Sequence, residues 1–312
     1  MKQRKIKLIG IAIAVMVLIL IPIFFVHKNK APEPQINYKE PCIKLYLNQE
    51  KKTIELLLED YIVGTVAAEM PASFEIEALK AQAVCARTYA FCKLLKNKKY
   101  PDGANLSDDI NSCQAYISKE EFYRRHPGYK GLYKKVREAV GQTRGEIMIY
   151  DDQPIDALYH STCGGRTESA VSIWGKDVPY LQSVKCHYCK QSRHYENVQV
   201  FSVQEFTNSL GVNNGRQPQV QVRENTPSGR VKKVKINDRE LSGEQLRHIL
   251  GLPSTWCDFK INEGRVEIES RGYGHGLGLC QYGANGMALS GKTYHQILKH
   301  YYNHIEFSQL KY

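Results

Sequence analysis

One acid and two cations pose the chemical question in this chain. Glu69 falls where a helix has to stop. The run from Tyr61 is apolar and Asp60 stands ready to cap it, but Pro71 lacks an N–H and pushes Met70 out of the helical region. A carboxyl at such a break is a candidate general acid or base. A second helix is predicted after Ser73, with Ile76, Leu79, Ala83, Ala86 and Ala90 at three-to-four spacing. Lys80 and Arg87 lie seven apart on another face and are expected to present two cations to one side of a cleft. The ordinary alternatives are a solvated helix-end charge and a wet basic face.

Two glycine-rich stretches offer further contacts. HSTCGGRTE, residues 160–168, follows a predicted strand, and its paired glycines let backbone amides or the Ser161 and Thr162 hydroxyls approach a ligand closely. GYGHGLGLCQYGANGMA, residues 272–288, carries His275. The glycines from 272 to 278 fall at every second position, which fails the dinucleotide fingerprint, and no Gly-Lys-Ser/Thr closes a phosphate loop. Cys163 and Cys280 sit in these two loops near His160 and His275, so a thiolate acyl-transfer enzyme is a distant rival.

Nine cysteines cannot all pair within one chain. Cys85 and Cys92 fall inside the alanine-rich helix and are expected to pack as small apolar residues. Cys186-His187-Tyr188-Cys189 has the spacing that grips one Zn²⁺, with Cys163 and either His194 or His187 to complete a tetrahedron. A Cys186–Cys189 disulfide or free thiols fit the same spacing, so a structural zinc stays open here.

Elements to position these residues can be placed from pattern. Strands are expected at 43–47 and 53–58, joined by NQEKK, and a second hairpin at 146–150 and 155–160 around DDQP. Ser118 with Glu121, Ser202 with Glu205 and Ser242 with Gln245 have capping-box spacing, and Gly211 and Gly251 mark helix ends. Strands follow at 219–223, 230–236, 258–262 and 265–270, then a last helix from Thr293. The fold class is α+β, a mixed helix/sheet domain with a groove over residues 42–312, and residues 200–256 form a possible inserted lobe. The polar loop before Cys113 holds Asp108 and Asp109, the other carboxyls open to a role beside Glu69.

The N-terminus has its own character. Lys2, Arg4, Lys5 and Lys7 precede an apolar run from Leu8 to Val26, long enough to span a bilayer and without a good cleavage site. Residues 1–30 are therefore expected to be a cytoplasmic N-terminus and uncleaved transmembrane anchor, and 31–41, with Pro32, Pro34 and Pro41, an extended linker. The remainder would face outward from the cell membrane. The formal charge is +11, but without the six cations of residues 1–30 it is only +5. No basic stripe is interleaved with aromatics, so a nucleic-acid partner is not expected. Mild excess cation suits an anionic polymer or simple solubility.

The string AAEMPASFEIEALKAQAVCARTYA, residues 67–90, together with both glycine-rich stretches, closely resembles the stage II sporulation protein D family, and the likeness covers nearly all of the chain after residue 42. The resemblance implies a membrane-anchored lytic transglycosylase that cuts peptidoglycan strands freed of stem peptides during engulfment, beside an amidase and a membrane partner. It implies Glu69 as catalytic residue. As substrate contacts it implies His160, Arg166, His275, Gln281 and Tyr282; Tyr116, Ser161, Lys80 and Arg87 are expected beside them. A zinc site of some family members would need ligands at 101 and 107 as well as Cys113; Pro101 and Ser107 stand there. The chemistry itself requires no cofactor. Some relatives enhance amidases, so a non-catalytic glycan-binding enhancer and a hydrolytic glycosidase are the alternatives.

Overall fold

The helix that ends at Glu69 and the alanine-rich helix after it form the centre of the fold, and alanine explains how. In the second helix Ala78, Ala81, Ala83, Ala86 and Ala90 are all fully buried, so neighbours close in around it on nearly every side. The structure, a computed structural model, describes residues 39–97 and 99–312. The expected anchor and most of the linker lie outside the described residues. No helix among the described residues is long and apolar enough to cross a membrane.

In chain order, β1 (Cys42–Leu47) and β2 (Lys52–Leu57) form an antiparallel hairpin in the register Cys42↔Leu57 to Leu47↔Lys52. α1 (Leu58–Glu69) follows without a break. Its N-cap is Leu57 rather than Asp60, because β2 runs directly into the helix and Asp60 falls inside the first turn. At the other end Met70 is extended before Pro71, as the proline requires. α2 (Ile76–Leu95) is the central helix. β3 (Leu106–Ser107) joins β1 in parallel, and α3 (Lys119–Arg125) and α4 (Lys130–Gln142) follow. Ser118 caps α3 by accepting from the Glu121 N–H, but the Glu121 carboxylate turns to Arg124 and Arg125 instead of completing the box.

β4 (Glu146–Tyr150) turns at Asp151 and Asp152, both at positive φ, into a β5 of two residues (Gln153–Pro154). The expected long second arm does not form. Its far end is β6 (Tyr159–His160), which pairs elsewhere, and β4 takes the C-terminal strand as its other partner. α5 (Ala170–Trp174) follows.

Residues 196–271 have a core of their own. β7 (Glu196–Ser202), α6 (Val203–Ser209), β8 (Val220–Asn225), β9 (Val231–Ile236), β10 (Arg239–Ser242), α7 (Gly243–Leu250), β11 (Cys257–Asn262) and β12 (Arg265–Arg271) enclose a cluster that includes Phe206, Leu210, Val234, Ile236, Leu246, Val266 and Ile268. Two three-stranded sheets, ordered β10-β9-β8 and β11-β12-β7, frame it. Ser202 and Ser242 complete capping boxes with Glu205 and Gln245, and Gly251 caps α7 in the left-handed conformation. This segment stays within the unit spanning residues 40–310.

β13 (Leu279–Cys280) lies parallel to β6, pairing Leu279 with Tyr159 and Cys280 with His160. This two-stranded bridge brings both glycine-rich loops together. α8 (Gln281–Leu289) and α9 (Tyr294–Tyr301) then pack on α2, and β14 (Glu306–Gln309) closes the sheet on β4.

Arg87 and Lys80 are placed differently from expectation. Arg87 is fully buried and makes a bidentate pair with Glu59, Nε to Oε1 at 2.8 Å and Nη2 to Oε2 at 2.6 Å, while donating to the Glu146 and Val140 carbonyls. The spacing that put it on a helix face was sound, but α4 and β4 cover that face. Lys80 pairs with Glu77 at 2.6 Å and lies over the Tyr294 ring. Replacing Arg87 by Leu leaves the Glu59 carboxylate buried without its cation, and urea denaturation should show a loss of about 3–5 kcal/mol. Substituting Glu59 by Leu as well should recover most of it.

Candidate active site

Glu69 ends α1 at the meeting point of two grooves, of about 510 and 580 Å³. Both volumes fall in the ~300–1,000 Å³ range of small-molecule sites. Glu69, Ser161 and Gln281 line both. The first groove runs past Tyr159, His160, Tyr273 and His275, and the second past Tyr116, Tyr282, Arg125, Arg193 and His194. Among the described residues, Glu69 is the single acid that lines either one. Asp108 instead accepts from the Asn48 N–H at 2.7 Å, and Asp109 holds Asn111 and Ser112.

The carboxyl is held in place by backbone and neutral groups. Glu69 Oε1 accepts from the Ala115 N–H at 2.7 Å. Tyr159 hydrogen-bonds the same side chain, and Gln114 links that phenol, at 2.8 Å, to Tyr61 at 3.3 Å. Gln281 Nε2 donates to the Glu69 carbonyl at 3.0 Å, satisfying one of the acceptors that a helix leaves open at its end. Gly64 makes the approach of residues 113–117 possible. A Cβ there would stand 2.2 Å from the Tyr116 ring and 2.7 Å from the Ile117 carbonyl oxygen. Tyr116 meanwhile stacks on Tyr61, with centroids 6.0 Å apart and planes 3° from parallel.

Burial raises the Glu69 pKa above the ordinary carboxylate value, and the hydrogen bonds from Ala115 and Tyr159 only partly oppose it. The C-terminal end of the α1 dipole acts in the same direction as burial. Cations that would cancel the shift are engaged elsewhere, Arg87 by Glu59 and Lys80 by Glu77. Glu69 therefore retains its proton at a higher pH than a free glutamic acid.

His160 donates from Nδ1 to the Leu277 carbonyl at 3.0 Å, and its Nε2 is buried without a partner among the described residues. His275 Nδ1 accepts from the Leu277 N–H at 3.0 Å. Burial, with the neighbouring imidazole, lowers His160 to about 3; burial and the Arg247 and Arg230 charges lower His275 to about 4. Both are neutral imidazoles at neutral pH and add no charge beside Glu69.

Of the expected contacts, Tyr116, His160, Ser161, His275, Gln281 and Tyr282 line the grooves; Lys80, Arg87 and Arg166 line neither. The backbone of Arg166 bridges to Lys185 and its carbonyl accepts from Arg230 at 2.9 Å. The groove cations are Arg125 and Arg193, the latter without an acidic partner among the described residues. Gln114 and Tyr159 also belong to the site and were not among the expected contacts, although each is adjacent in the chain to a residue already noted, Cys113 and His160.

Cys163, Cys186, Cys189 and Cys280 converge behind the groove, with all four sulfurs within 4.8 Å of one another and all four residues buried. His194, expected as the fourth member, stands apart from them. It packs on Tyr273 at 4.6 Å and lines the second groove, because the chain turns away at Ser192. Cys280, far from the Cys-x-x-Cys pair in the chain, occupies that corner through the β6–β13 pairing. Neither Cys163 nor Cys280 lines a groove, so neither is placed as a nucleophile toward it.

A mixed α+β domain with one carboxyl at the junction of two grooves, walled by paired glycine-rich loops, is the class that fold and site define. A family profile described as Stage II sporulation protein matches residues 46–150, which include Glu69. The chain is 38 % identical over 287 residues to the stage II sporulation protein D of Bacillus amyloliquefaciens, covering 91 % of this chain and 83 % of that one. With the stage II sporulation protein D of Bacillus subtilis (strain 168) the identity is 39 % over 271 residues, covering 86 % and 79 %. The amidase enhancer of the same strain is 27 % identical over 298 residues, spanning 77 % of this chain and 39 % of that protein. The chain belongs to the stage II sporulation protein D family.

The two neutral histidines have a consequence for stability. A lowered folded-state pKa means that stability is present above the unfolded value near 6.5 and is lost as pH falls toward about 4 for His275 and about 3 for His160. Urea unfolding followed from pH 7 to pH 4 should show stability falling by up to about 1.4 kcal/mol per pH unit for each histidine. The His160→Gln, His275→Gln double variant should show a shallower fall.

Proposed function

We propose that this protein is a lytic transglycosylase acting on peptidoglycan glycan strands from which stem peptides have been removed. The observation that carries this reading is that Glu69, its proton affinity raised by burial, is the single acid lining either groove among the described residues. A glycosidase that uses water needs two carboxyls, one as acid and one as nucleophile or base. Transglycosylation needs one, since the attacking group is the muramic acid's own 6-hydroxyl.

The protonated Glu69 carboxyl donates to the glycosidic oxygen as the bond from the muramic anomeric carbon to that oxygen breaks. The 6-hydroxyl oxygen then bonds to the same carbon, and its proton passes to the Glu69 carboxylate. The products are a 1,6-anhydro end and a new free hydroxyl on the departing sugar, with no water consumed and the acid regenerated. Tyr116, Tyr273 and Tyr282 offer ring faces to sugars, and Arg193 and Arg125 offer charge to lactyl carboxylates. The chemistry calls for no cofactor. In this reading the domain is tethered outside the cell membrane by residues 1–30 and works during engulfment with an amidase and a membrane partner.

The likeness to an amidase enhancer favours one second reading, in which the groove holds glycan and stimulates an amidase without cutting. Glu69→Gln separates the two. Anhydro ends released from amidase-treated strands should fall ~10²–10⁴-fold, the usual contribution of a general acid–base, while strand binding and any stimulation of an amidase persist. Undiminished release by the variant would remove Glu69 from the chemistry.

A further inference from the structure

The geometry points to a mononuclear tetrahedral metal site, suited to Zn²⁺, formed by Cys163, Cys186, Cys189 and Cys280. The ligands come from three separate places: the first glycine-rich loop, the loop at 181–195, and the residue that caps α8. A Zn–S bond of about 2.3 Å gives a tetrahedron with edges of about 3.8 Å. The four sulfurs all lie within 4.8 Å of one another, and Cys163 and Cys189 are 3.5 Å apart. Two disulfides would join the sulfurs in pairs at about 2.05 Å and would leave the mutual approach of all four without a cause. A cubane iron–sulfur cluster would hold its cysteine sulfurs farther apart.

The surroundings suit thiolates. The Cys163 and Gly283 N–H groups each point to the Cys280 sulfur at 3.3 Å, and the Tyr301 hydroxyl lies 3.1 Å from the Cys186 sulfur. Donors of this kind orient metal-bound sulfur and spread its charge. The N-terminal end of α8 adds a positive dipole at Cys280. The buried guanidinium of Arg230 donates to the Cys163 carbonyl at 2.9 Å. Gly283 is packed against the cluster so closely that a Cβ would stand 2.7 Å from the Cys186 sulfur and 3.2 Å from that of Cys280. Four buried thiolates would carry more negative charge than the one neighbouring guanidinium of Arg230 offsets; a divalent ion removes the excess.

The site is structural. Its sulfurs line neither groove, but each tie reaches a residue that does. Cys163 follows Ser161 by two positions, Cys280 immediately precedes Gln281 and Tyr282, and Cys189 lies four before Arg193. The ion would thus lock both glycine-rich loops and the Arg193 loop together behind Glu69, in a chain where β6 and β13 contribute only two residues each. This holds whether or not the groove cleaves glycan.

The test uses the full chain purified without chelator, with metals counted by plasma mass spectrometry. One zinc per chain is expected, released in proportion as a mercurial titrates four thiols. Exchange for Co²⁺ should give the visible bands and near-ultraviolet sulfur charge transfer of a tetrahedral thiolate site. Cys280→Ser and Cys163→Ser should each abolish stoichiometric metal, and Cys42→Ser, at an exposed cysteine, should leave it unchanged. The wild-type count needs no variant to fold. An intact mass lacking four hydrogens with no metal, free thiols that stay empty when Zn²⁺ is offered, or iron with labile sulfide would each overturn the assignment.

Discussion

A carboxyl that gives up a proton and takes it back has to be withheld from bulk water without being neutralised by a cation. Most of the arrangement around Glu69 follows from that constraint. Pro71 ends α1 so that the acid stands at the negative end of the helix dipole. The groups that hold it are an amide, a phenol and a carboxamide network, none of which carries charge. The two cations of the following helix, Arg87 and Lys80, are removed, one into a buried pair with Glu59 and one onto Glu77. Had either reached the carboxyl, its charge would have opposed the rise that burial gives the pKa.

The second requirement is that walls from distant parts of the chain meet at this point. Residues 113–117 approach α1 because Gly64 has no side chain to obstruct Tyr116. The glycine-rich loops, more than a hundred residues apart, are joined by a parallel bridge of two residues per strand. So short a ladder contributes little by itself, and the metal proposed for the four-cysteine cluster directly behind it would supply a stronger tie.

Local signals were legible in the sequence. The helix stop at Glu69, the hairpin at 42–57, the capping boxes at Ser202 and Ser242, and the strands of the 196–271 segment all follow from short-range stereochemistry. What escaped was decided by long-range packing. Periodicity placed Lys80 and Arg87 on one helix face, but the sequence has no way to say that α4 and β4 cover it. Pattern continued β5 to His160, where the actual strand breaks off to meet β13. Of the four converging cysteines, the Cys-x-x-Cys pair and Cys163 could be grouped from local spacing and loop position, whereas Cys280 joins them only through the tertiary fold. Arg193 and Tyr159 enter the groove for the same reason.

In the proposed reaction one carboxyl suffices because the sugar attacks itself. The most direct test is digestion of stem-peptide-free glycan strands by the wild-type protein in water enriched in oxygen-18, with the new ends analysed by mass. The expected products are 1,6-anhydro ends carrying no label. Reducing ends with one heavy oxygen each would mean that water is the nucleophile, and would contradict the proposed reaction.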